Sequence, residues 1–166
     1  MTVILEYVSE KEDYLKKILS LIKKTDEKVC YVTFNKTCGF LHATLVKKKI
    51  DTDKVYFVDC ISETIKKPKS VKNCQFVSAP YELEEIGKEI KKAIRNGCTI
   101  VIFDSLSNVL TYKAVIPAGM DLLVRLIKSF LPSLNRKQGK AIFICNLKDK
   151  GNLLIKETIP IFSKIN

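Results

Sequence analysis

TIVIFDSLSNVL, residues 99–110, is an apolar run that stops on Asp104-Ser105 and gives way to a mixed segment. Five further stretches have the same character: VILEYV (3–8), VCYVTF (29–34), VYFVDC (55–60), QFVS (75–78) and AIFICN (141–146). Their apolar residues run on without alternating, the pattern of strands buried on both faces of a parallel sheet. Helical patterns lie between them. Tyr14, Leu15, Ile18, Leu19 and Ile22 fall on one face of the first. Leu83, Ile86, Ile90 and Ile94 do so in YELEEIGKEIKKAIR, whose acidic start and basic end suit the helix dipole. Leu122, Leu123, Leu126, Ile127 and Phe130 make a wider stripe and a more deeply buried helix.

Strand and helix in alternation predict right-handed crossovers and an α/β fold, a three-layer parallel sheet with helices on both faces. Asn96-Gly97 places glycine just beyond a helix end, and Gly139 takes a loop position before the last long strand. The tail GNLLIKETIPIFSKIN predicts a helix broken near Pro160 and a final extended stub. With no internal repeat, low-complexity tract or linker, residues 1–166 are expected to form a single domain.

Composition narrows the class. Of 166 residues, 46% are hydrophobic and 28% charged, as in soluble globular chains. No apolar run reaches the ~18 residues of a membrane span and the N-terminus lacks the build of a signal peptide, so no membrane association and a cytoplasmic location are expected. Abundant isoleucine and lysine, with only Gln75 and Gln138 as glutamines, suggest a heat-adapted source. Six cysteines without a C-x-x-C pair, and His42 as the one histidine, argue against zinc or another metal. The thiols are expected to be reduced and structural, with a Cys38–Cys60 bridge as the alternative. His42, within the helical pattern GFLHATLVKKK, is expected as a boundary residue rather than as a ligand or base.

The net charge of +11 opens a nucleic-acid reading. Its lysines are dispersed, however, in the groups 47–49, 66–72 and 136–140, without the interleaved aromatics of a single-strand groove. Solvated lysine faces are one account and a polyanion surface the other.

In parallel sheets ligands collect at the carboxyl ends of the strands. Those ends offer Asn35, Asp59, Asp104, Ser105 and Asn146 as candidate ligand or vestigial nucleotide-site residues, and no residue set that reads as catalytic. As N-caps and turn formers they would be ordinary. The apolar strand ending in Asp104 has the layout of a Walker B strand, where aspartate holds the water shell of a nucleotide-bound magnesium ion.

Residues 29–60 (VCYVTFNKTCGFLHATLVKKKIDTDKVYFVDC) and 81–113 (YELEEIGKEIKKAIRNGCTIVIFDSLSNVLTYK) resemble, in order and spacing, segments of the RecA-like ATPases, the KaiC branch above all. The resemblance implies a RecA-like core and spans most of residues 1–160. It also implies parts that are missing here. The family's first strand leads into G-x-x-x-x-G-K-[ST], whose backbone N–H groups cradle the phosphates. This chain has VSEKEDYL, without glycine. Ser9 and Glu12 are spaced as a capping box, which would satisfy the first helix from within, and Glu10, Glu12 and Asp13 would repel a phosphate. Where the family carries glutamates after the strand ending YVTF, one of them activating water, Asn35 and Lys36 stand.

The expectation is therefore a degenerate ATPase-like domain, a pseudo-ATPase with no cofactor, acting through a protein partner or self-association. A nucleic-acid-associated protein is the alternative, and an enzyme using Asp59, Asp104 and Asn146 a third. Val109, Leu110, Val115 and Ile116, around Tyr112, would either cover the sheet or face a partner.

Overall fold

The computed structural model describes residues 1–9, 13–112 and 119–166, with the side chains of all of these except residues 119–121. The strands are β1 (Thr2–Val8), β2 (Lys28–Thr33), β3 (Val55–Asp59), β4 (Cys74–Phe76), β5 (Cys98–Asp104), β6 (Lys140–Asn146) and β7 (Lys164–Ile165). The helices are α1 (Tyr14–Lys24), α2 (Cys38–Lys47), α3 (Ser62–Ile65), α4 (Leu83–Arg95), α5 (Leu106–Leu110), α6 (Gly119–Arg136) and α7 (Leu153–Thr158). All strands join one sheet in the order β4-β3-β2-β5-β6-β1-β7, and every pairing is parallel.

The six expected strands form close to their expected limits, and a short seventh closes the edge beside β1. Their apolar continuity is explained by two cores. Val3, Leu5, Val32, Val101, Phe103 and Phe143 face α4, α6 and α7 on one side of the sheet. Val29, Tyr31, Phe57, Ile102 and Ile144 face α1 and α2 on the other. Phe143 anchors the first core, with ring centroids 5.4 Å from Phe103 and 5.3 Å from Phe162. Truncating so enclosed an aromatic typically costs about 3–5 kcal/mol.

The helix stripes fall as expected. Ile18, Leu19 and Ile22 of α1 are buried, with Tyr14 and Leu15 packed beside them. α4 buries Leu83, Ile86, Ile90 and Ile94, and α6 buries Leu123, Leu126, Ile127 and Phe130. Gly97 has φ +105°, a left-handed conformation that lets the chain turn from α4 into β5. At Gly139 space is the reason for glycine, because a Cβ would stand 2.4 Å from the Thr99 carbonyl oxygen. In the tail, α7 gives way to a 3-10 turn around Pro160 and then to β7, which is the expected break and stub.

The start of α1 corrects one expectation. The helix begins at Tyr14 and its N-cap is Asp13, whose Oδ1 accepts the Lys16 N–H at 3.2 Å. The N-cap is thus Asp13 and not Ser9, and the first helical turn holds no acid. Glu10, Lys11 and Glu12 lie outside the described residues, as do Val115 and Ile116. The Asp13 carboxylate, one position before the helix, satisfies the Lys16 N–H and suits the positive end of the dipole.

All six cysteines are free, so Cys38 and Cys60 are not bridged. Burial pushes the Cys30 and Cys60 thiols well above their ordinary value, while a hydrogen bond with Cys38 raises Cys74. These thiols are small core residues at neutral pH. His42 is half-buried on α2. Among the described residues no helix is long and apolar enough to cross a membrane, and no group of three or more His, Cys, Asp or Glu could hold a metal ion.

Candidate functional site

β2, β5, β6 and β1 are neighbours, and their carboxyl ends open onto one crevice of about 430 Å³. Val8, Tyr14, Asn35, Ser105, Asn108 and Asn146 line it, with Lys148 and Asp149 at one side. Three of the five residues singled out in the sequence are thus brought together: Asn35, Ser105 and Asn146. A hydrogen-bond network ties them down. Asn35 Nδ2 donates to the Tyr14 hydroxyl at 3.0 Å and to Asn108 Oδ1 at 3.3 Å. Ser105 Oγ donates to the same Asn108 oxygen at 2.5 Å, and accepts the Asn108 N–H at 3.3 Å as the N-cap of α5. Asn146 Oδ1 accepts the Lys148 N–H, and the Asn146 N–H donates to Ser107 Oγ at 2.7 Å.

Asp104 ends β5 beneath this crevice and is wholly buried. Its Oδ2 accepts the Tyr31 hydroxyl at 2.6 Å and stands 3.8 Å from the Lys36 ammonium. Its Oδ1 is buried without a hydrogen-bond partner. The peptide bond to Ser105 is cis. Lys36 Nζ in turn donates to the Tyr14 hydroxyl at 2.5 Å and to Asn35 Oδ1 at 3.2 Å, and lies 4.7 Å from the centre of the Tyr14 ring. Thr33 fixes the Lys36 backbone, its hydroxyl donating to the Lys36 carbonyl at 2.7 Å.

Electrostatics follow from this geometry. Burial raises the Asp104 carboxyl above the ordinary carboxylate value, with Lys36 and then Tyr31 pulling the other way. Burial, and next the Asp104 charge, push the Tyr31 hydroxyl well above the phenol range, so it remains a donor at neutral pH. Tyr14 is raised by burial and Asp104, against the opposing pull of Lys36 and Asn35.

Asp59 does not belong here, which corrects its grouping with Asp104 and Asn146. It lies at the end of β3, beyond β2, and both its oxygens are occupied. Oδ1 accepts the N–H groups of Ile61 and Ser62 at 2.9 and 2.8 Å, and Oδ2 accepts the Cys38 N–H and the Ser62 hydroxyl, both at 2.6 Å. It caps α2 and α3 together.

Tyr14, Tyr31, Lys36, Ser107 and Asn108 hold the site, and residue type alone did not single them out as ligands. The phenols carried a faint signal. A tyrosine inside an apolar strand must bury a hydroxyl, and that hydroxyl requires a partner.

A magnesium nucleoside triphosphate, the ligand that a RecA-like fold implies, does not fit these residues. Just before α1 the Asp13 carboxylate accepts the Lys16 N–H, and no glycine lies between Val8 and Tyr14. A cation already stands beside Asp104 in the form of Lys36. A second positive charge about 4 Å from it would meet repulsion of about 4 kcal/mol per unit charge near a protein surface.

No protein-family model matches the chain, and neither does any curated protein. Solved structures do. A KaiC-like protein from the hyperthermophilic archaeon Pyrococcus horikoshii OT3 superposes with a TM-score of 0.70 at 12% identity, over 99% of this chain and 69% of that one. Identity this low speaks to architecture alone: the chain is an α/β protein with the RecA-like fold of its KaiC-like neighbour.

Proposed function

We propose that the chain is a non-catalytic RecA-like domain that works by binding other proteins and does not turn over nucleotide. One observation carries this reading: the Lys36 ammonium, held by Tyr14 and Asn35, lies 3.8 Å from the buried Asp104 carboxylate. The positive charge that Asp104 requires comes from the chain itself. The site then keeps its shape without a bound cation, and Asn35, which accepts no proton at neutral pH, replaces a water-activating acid.

Two further facts support it. The Lys16 N–H in the first turn of α1 meets the Asp13 carboxylate, and the stretch before the helix has no glycine for a phosphate loop. The amides and hydroxyls of the crevice are bonded largely to one another, as in a closed structural network.

The test is calorimetry with ATP and magnesium chloride. No saturable heat is expected up to millimolar nucleotide, and an affinity near micromolar, about −8 kcal/mol, would overturn the reading.

A further inference from the structure

A second groove, also about 430 Å³, lies away from the strand-end crevice, between the start of α2, residues 62–71 and β4. Ile65, Pro68, Val71 and Phe76 supply its apolar wall. Lys66, Lys67 and Lys69 flank them, and no Asp or Glu lines it. Ile65 is 66% exposed, the most of any large hydrophobic residue described, and Phe40, next to the groove's Gly39, is 53% exposed. Lys72, just outside, pairs with Asp53 at 2.7 Å. Among the described residues, Lys66, Lys67 and Lys69 have no acid within 4 Å. Apolar side chains left in water beside unneutralised cations mark a recognition surface.

The groove's own chemistry selects the occupant. β4 is an edge strand, but the Cys74 N–H is spent on the Val71 carbonyl at 3.2 Å and the Phe76 carbonyl on the Gln75 side chain at 3.2 Å. Strand addition is therefore blunted, and recognition falls to side chains. A nucleic acid would want successive aromatic faces for its bases, whereas this wall is mainly aliphatic, Ile65, Pro68 and Val71, with Phe76 the one aromatic lining it and Phe40 beside it. A second copy brings the same +11 charge and is repelled at low salt. A protein segment with Asp and Glu around a large apolar side chain matches both halves of the surface.

We propose that this groove docks such an acidic, apolar-anchored segment of a partner protein. The proposal rests on the reading of the chain as a protein-binding domain and gives that reading its partner class.

The probe is a fluorescein-labelled synthetic helix with leucine at i, i+3, i+4 and i+7 and glutamate between. Its controls are the same composition scrambled, a glutamate homopolymer of equal length and a single-stranded oligonucleotide. Saturable anisotropy is expected with the patterned peptide. Affinity should fall about tenfold or more for the scrambled peptide, for Ile65→Glu and for the pair Lys66→Glu and Lys67→Glu. These side chains are exposed, so melting temperatures should stay near that of the parent. Four results would each overturn the proposal: equal binding of the scrambled peptide or homopolymer, tighter binding of the oligonucleotide, parental affinity in the variants, or a dimer in sedimentation that Ile65→Glu dissolves. Absent peptide binding with absent ATP binding removes the groove and leaves the proposed function standing. ATP binding removes that function whatever the peptide does.

Discussion

Asp59 and Asp104 make an instructive pair. Each ends a strand, each is fully buried, and β2 alone separates their strands. Asp59 accepts four hydrogen bonds through its two oxygens and joins two helix starts. Asp104 accepts one, from Tyr31, leans on Lys36 and leaves Oδ1 bare. The same residue type in the same kind of place is a finished joint in one case and, in the other, a buried charge with one cation beside it and one oxygen left without a donor. Burial alone therefore says little about a strand-end carboxylate. The count of donors around it says more.

Asp59→Asn should have the largest effect. One oxygen becomes an NH₂ facing N–H donors, so at least one buried N–H goes unpaired, a loss of about 3 kcal/mol in urea denaturation. An unchanged midpoint would erase the contrast. Tyr31→Phe strips Asp104 of its donor and should cost about 2 kcal/mol by the same measurement. Lys36→Gln removes the partly exposed cation and should cost about 1 kcal/mol at neutral pH, less in high salt.

Asp104→Asn is the smallest change and should carry the opposite sign. The amide oxygen still accepts from Tyr31, and the buried charge is gone. Because burial raises this carboxyl, the folded chain keeps its proton to a higher pH than the unfolded chain does. Its contribution to stability is greatest below the ordinary value of 3.8 and is lost as pH rises through the folded value. The gain from Asp104→Asn should therefore show at pH 7 and vanish as pH falls toward 3.8, in thermal melts across that range. A loss at pH 7 would mean that Lys36 outweighs burial.

The sheet was legible because buried parallel strands leave an unbroken apolar signature, as in IVIF before Asp104 and IFIC before Asn146. Helix faces were legible for the same reason of period. The start of α1 was not. Ser9 to Glu12 has capping-box spacing, yet Asp13 lies nearer the helix and wins, and spacing cannot rank two caps three or four residues apart. Asp104 could be marked as a strand-end acid, but its meeting with Lys36 and Tyr31 depends on β2 pairing with β5, a neighbour relation that no local pattern encodes. Asp59 was misgrouped for that reason too. Its partners, Cys38 and Ser62, belong to helices that only the folded sheet brings to one point.

The strand order also governs assembly of the molecule. β1 comes first in the chain, but its ladder partners are β6 and β7, so its backbone groups and its Val3 and Leu5 side chains have no sheet to join until Lys140 and the residues after it exist. β2 and β3, linked through α2, can pair early as a local crossover unit. Long-range pairing of this kind slows folding and leaves a sticky strand exposed meanwhile. During synthesis, then, β1 waits unpaired until β6 has followed it out.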